Sequence, residues 1–187
     1  MADKTLYRMV FTALMAAVVY VTTMFLKVTI PTPAGPTMVK VGNVFCLFSG
    51  MLLGPLYGGL AAGIGSMLFD LSDPMFAASA PYTLVFFFAM GCVCGLISHL
   101  GGAKGDALGR NLAGALAGSA VYYVLNIGKS IVLLILAGSQ PWAAVVANGT
   151  KMATSLVNAV IAVALSVLLA KPLMGALKRG GLLDKLG

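Results

Sequence analysis

The chain has no glutamate, one histidine and one tryptophan, and only 9% of its 187 residues are charged. Each shortage excludes something. With acidic groups reduced to five aspartates, no catalytic constellation is visible and no set of membrane acids suits a proton relay. The single histidine, His99, falls at a helix end beside "GGAKGD", which rules out a metal site or a catalytic set built on histidine. The three cysteines, Cys46, Cys92 and Cys94, all sit in apolar surroundings. Their Cys-Val-Cys spacing lacks further ligands, so they read as small hydrophobes and no metal is expected. The stretch "NIGKS" imitates the end of a phosphate-binding loop, but Tyr123 stands where the first glycine is required, so nucleotide binding is not expected. "NGT" at Asn148 matches a glycosylation sequon only by accident of position, on the edge of an apolar span.

Apolar sequence is what the chain has in abundance: 60% of residues are hydrophobic and the mean hydropathy is +1.00. No ordinary water-soluble domain of this size has that balance, so the chain reads as an integral membrane protein with no appended soluble domain. "MADKTLYRMV" runs into apolar sequence without a cleavage site and is read as the start of a first membrane helix. A crossing needs about 20 apolar residues. On that basis the expected fold is all-α, a single membrane domain over 1–187 with six spans near 6–27, 40–54, 56–70, 80–99, 110–137 and 145–171. The second and third share one long apolar interval, and Gly54, Pro55, Gly58 and Gly59 at its centre are read as a tight turn.

The basic residues decide between five crossings and six. With six, Lys4, Arg8, Lys104, Arg110, Lys171, Lys178, Arg179 and Lys185 gather on one side, while Lys27 and Lys40 fall on the other. Both termini are therefore expected in the cytoplasm. The net charge of +7 is read as a topology signal and not as a nucleic-acid surface. No internal repeat is evident, so the inverted-repeat plan of many carriers is not supported.

Two lysines interrupt the spans. At 100° per residue Ser119, Tyr122, Asn126 and Lys129 share one stripe of the fifth span. In the last span Asn148, Lys151, Ser155, Ala162 and Ser166 align likewise, with Asn158 at the edge. A lysine in a membrane helix costs several kcal/mol, about 2.5 to 3.5 on insertion scales. Either the lysines snorkel to the outer boundary or pair structurally, or they line a ligand-sized cavity open to the outside. Asp70 and Asp73 are candidate partners, and a ligand with carbonyl or anionic groups is another. The first external loop, Lys27 to Asn43, carries Pro31, Pro33 and Pro36. It is expected to be extended, and to act either as a lid delivering Lys40 and Asn43 to a ligand or as a passive connector. Tyr82 and Trp142, at external helix starts, read as interfacial anchors.

Ala13 and Ala17 form a small-xxx-small pair on the first helix. Together with six spans in a chain of this length, the proline-rich loop, the "LGPLYGGLAAGIGSMLFDL" hairpin and the basic tail, this pair resembles the substrate-binding S components of energy-coupling factor (ECF) vitamin transporters. The resemblance implies a high-affinity capture subunit of an ABC-type importer in the prokaryotic cell membrane. It is not an enzyme on this reading, because two separate ATPase subunits supply the energy. It also implies that Ala13 and Ala17 contact the transmembrane coupling subunit, and that the vitamin lies near the outer face as cargo, without a cofactor. "NGTK" (Asn148 to Lys151), with Asn126 before it, is similar to the pattern of flavin-binding members, while pyridoxine- and hydroxymethylpyrimidine-type members remain alternatives. The expected substrate contacts are Lys40, Asn43, Tyr122, Asn126, Lys129, Asn148, Lys151, Ser155 and Asn158. A stand-alone carrier or channel is the competing function.

Overall fold

The computed structural model describes residues 2–102 and 105–182, so Lys104 and Lys185 lie outside the described residues. Helix α1 (Ala2–Phe25) leads into a β-hairpin of β1 (Lys27–Ile30) and β2 (Thr37–Lys40). There follow α2 (Gly42–Ser72), α3 (Ala80–Ser98), α4 (Leu108–Leu136), the short α5 (Pro141–Ala147) and α6 (Gly149–Arg179). Five of these segments are long and apolar enough to cross a membrane, as an all-α membrane protein requires.

Helix α2 reverses direction within its span. Gly54 adopts φ 79° and ψ −172° and is followed by Pro55, a pair that breaks the helix because only glycine takes that conformation freely and proline supplies no N–H. The arms on either side pack against each other. Ser49 Oγ donates to the carbonyl of Gly58 at 2.9 Å, and Cys46 Sγ lies 3.6 Å from Ser66 Oγ, contacts that a straight helix would hold far apart. A Cβ at Gly58 would sit 2.5 Å from the Cα of Gly50, so absent side chains let the arms meet. His99 caps this turn, with its Nε2 2.9 Å from the Met51 carbonyl oxygen.

The small-residue pairs 58/62, 59/63 and 114/118 are spent on packing the protein's own helices. A Cβ at Gly118, for example, would lie 2.6 Å from the Met90 carbonyl oxygen. The core they permit joins Leu47, Met51, Phe87, Met90, Cys94, Ala115 and Ala162 across α2, α3, α4 and α6. Leu68, Val85, Leu116, Val124, Leu156 and Val160 face outward, the arrangement expected where the solvent is lipid.

Two expectations change here. The first loop is not an extended connector but a two-stranded antiparallel hairpin, with Lys27 opposite Lys40 and Ile30 opposite Thr37. Its prolines are confined to the turn, which leaves the β-branched "KVTI" and "TMVK" free to pair. The last span divides at Asn148, which ends α5 and begins α6, so a continuous helix from 145 does not form.

Candidate ligand-binding site

Beneath the hairpin, side chains from α3, α4 and α6 converge on one cavity of about 640 Å³, counting the open space at its mouth. Helical spacing accounts for the lining. Tyr122, Asn126 and Lys129 come from α4 and Lys151, Ser155 and Asn158 from α6, each set at i, i+4, i+7. From α3 come Tyr82, Thr83, Phe86 and Phe87, with Ser79 just before it. Strand β2 contributes Thr37, Met38 and Lys40, and the end of α2 contributes Asp70.

Three ammonium groups face this space, and hydroxyls and rings receive them. Lys129 Nζ donates to Ser79 Oγ at 3.1 Å and lies 4.2 Å from the centre of the Tyr82 ring. Lys151 Nζ donates to Ser130 Oγ at 3.1 Å. Lys40, only 5% exposed, holds its Nζ 4.4 Å from the Phe87 ring and 5.9 Å from Phe69. Cation–π contacts of this kind return part of the desolvation cost of a buried ammonium. Asp70 is the one acidic lining residue, and Thr83 Oγ1 donates to its Oδ2 at 2.5 Å. An ion pair joins Lys27 to Asp73 at the base of the hairpin. The Lys27 ammonium holds the Asp73 carboxyl below the usual carboxylate range. The cavity thus offers an excess of donors beside aromatic walls, with Phe87 and Tyr122 packed at 4.5 Å between ring centres. A flat ligand bearing carbonyl or ring-nitrogen acceptors would satisfy it.

Of the residues expected from the sequence, Lys40, Tyr122, Asn126, Lys129, Lys151, Ser155 and Asn158 are brought together. Asn43 and Asn148 are not among the lining residues. Asn148 is fully buried where α5 ends and α6 begins, and donates from Nδ2 to the Ala144 carbonyl at 2.8 Å. Asn43 is 2% exposed at the start of α2. Tyr82 lines the cavity under Lys129 and is not simply an interfacial anchor. Phe86, Phe87 and Thr83 went unseen in the sequence, although Ser79 and Thr83, four apart in an otherwise apolar segment, mark the inward face. Ala13 and Ala17 lie on the exposed side of α1, while Ala16 is buried against α2.

No solved structure matches the chain. An uncharacterized protein from Pyrococcus woesei, encoded in the 3′ region of gap, is 34% identical over 116 residues, covering 62% of this chain and 72% of its own. Residues 3–177 match the family described as ECF-type riboflavin transporter, S component. With nearly its whole length matched, this chain belongs to the ECF-type riboflavin transporter S component family and is a multi-pass membrane transport protein.

Proposed function

We propose that the chain captures a vitamin with a flat heteroaromatic ring at the outer face of the cell membrane, riboflavin before pyridoxine or hydroxymethylpyrimidine. One observation carries this reading: Tyr82, Phe86, Phe87 and Tyr122 share a cavity with Lys40, Lys129, Lys151 and Asn126. Rings supply stacking area, and the ammonium and amide groups supply donors for ring carbonyls and nitrogens. The vitamin is cargo. Six crossings with both termini in the cytoplasm follow from counting the two arms of α2 as separate spans. The basic residues support that count, since Arg8, Arg110, Lys171 and Lys178 then share a side. The exposed Ala13 and Ala17 would dock the transmembrane coupling subunit, and two ATPase subunits would drive release. Purified protein titrated with riboflavin, followed by quenching of flavin fluorescence, tests the reading. Saturable binding at micromolar concentration or tighter is expected. Binding of pyridoxine but not riboflavin would change the vitamin, and no binding of any of the three would remove the capture role.

A further inference from the structure

Asn158 lines the cavity, yet its amide is already engaged. Its Oδ1 accepts from the backbone N–H of Lys40 at 3.0 Å, and its Nδ2 donates to the carbonyl of Met38 at 2.6 Å. Both partners are on β2, more than a hundred residues away in the chain, and the asparagine is 6% exposed. The amide orientation is fixed by chemistry: turned the other way, its NH₂ would face an N–H and its oxygen a carbonyl.

The two groups it bonds belong to the edge of the hairpin that faces away from β1. Val41 N–H donates to the Leu26 carbonyl, so by antiparallel alternation Lys27–Lys40 and Thr29–Met38 are pairs that do not bond each other, and the Lys40 N–H and Met38 carbonyl point away from β1, to an edge with no strand partner. Among apolar walls at the membrane boundary, an unpaired N–H or carbonyl is costly and water is scarce. One carboxamide satisfies both groups, standing where the backbone of an adjoining strand would stand. Strand β1 is tied separately, through Lys27 to Asp73 and through the ring of Phe69, 4.4 Å from Lys27 Nζ. Both strands are covalently anchored at this base, β1 to α1 and β2 to α2, so the end of the hairpin free to swing is the turn at 31–36.

We propose that Asn158 is a latch and not a ligand contact: by bonding the free edge of β2 it holds the hairpin closed over the cavity, and releasing it opens the cavity along α6. This rests on the capture reading and sharpens it. Lys151 and Ser155 lie on the same stripe of α6, two turns and one turn before Asn158, so a ligand held there sits directly beside the latch. Asn158 then governs how long the ligand stays, acting through the strand that carries Lys40.

The test compares the full chain with Asn158→Ala and Asn158→Asp. Alanine is the best helix former and leaves α6 intact; aspartate keeps the acceptor for Lys40 N–H and loses the donor to Met38. Hydrogen exchange of the hairpin peptide, residues 27–41, is measured without ligand. Exchange there should quicken about tenfold in Asn158→Ala, the equivalent of one net hydrogen bond, and at least as much in Asn158→Asp, whose second oxygen would face the Met38 carbonyl, with α3 and α4 unchanged. Riboflavin should then dissociate faster from both variants at a nearly unchanged association rate. Hairpin exchange equal to the wild type overturns the latch, as does a slower association with dissociation unchanged. If the wild type binds none of the three vitamins, the capture reading fails, and the exchange experiment still decides the latch.

Discussion

At the scale of single residues, the question is how a membrane helix accommodates Lys129 and Lys151. Neither meets a carboxylate within the ion-pair range; each donates to one serine and faces the cavity. An ammonium has three donors, so each lysine retains capacity for a ligand. Replacing either by alanine should weaken riboflavin binding by about 1.5 to 3 kcal/mol, roughly ten- to a hundredfold, if those donors meet ligand acceptors. Equilibrium titration of the two variants measures this, and unchanged affinity in both would leave the lysines a structural role. Tyr82→Leu should lower affinity less, by about 0.5 to 2 kcal/mol, because it removes a ring surface and the seat of Lys129 but no charge. The stripes on α4 and α6 were legible because helical periodicity is a local property. Tyr82 was not, because an aromatic at a helix start suits an interface and a pocket equally well.

Among the elements, the hairpin and the broken α2 determine the site. The Lys27–Asp73 anchor has a definite pH sense. Asp73 is held below its ordinary range, so its contribution is complete above the unfolded value near ~3.9 and is lost as the pH falls through the lower folded value. Both side chains are partly exposed, about a quarter or less, and screening keeps the effect small. Hairpin exchange should therefore rise on acidification from about pH 5 to 3 beyond the intrinsic trend, and Asp73→Asn should abolish that extra rise. In α2, Gly58→Ala would drive a Cβ into the Gly50 backbone, where no flexible side chain can yield. A loss of about 1 to 3 kcal/mol is expected, read as a lower midpoint in thermal unfolding. The turn at Gly54 was readable from glycine and proline alone. The hairpin was not, since its prolines suggested extension, and pairing of the flanking strands depends on groups far away.

For the whole molecule, the exposed α1 face is where the proposed capture and the proposed coupling can be told apart. Ala13→Leu and Ala17→Leu add bulk on a surface remote from the cavity lining. Riboflavin affinity should stay within about twofold, since substitutions away from buried features are usually small in effect. ATP-driven uptake in vesicles with the coupling subunit and both ATPases should collapse, because helix contacts in lipid depend on close approach. Uptake by the chain alone, indifferent to ATP and to both substitutions, would favour an independent carrier instead.

The amino-acid sequence by itself determined the membrane character, the apolar segments, the reversal at Gly54 and the polar stripes, because hydropathy, helical period and backbone preference act over a few residues. Only the tertiary structure decided which stripes meet, that α3 supplies the aromatic wall, and that Asn148 turns away while Asn158 grips β2. Those outcomes depend on helix rotation and on partners distant in the chain. Rotation is set by where glycines allow helices to approach, and backbone satisfaction by which side chain reaches an uncovered strand edge; neither is a property of any local stretch.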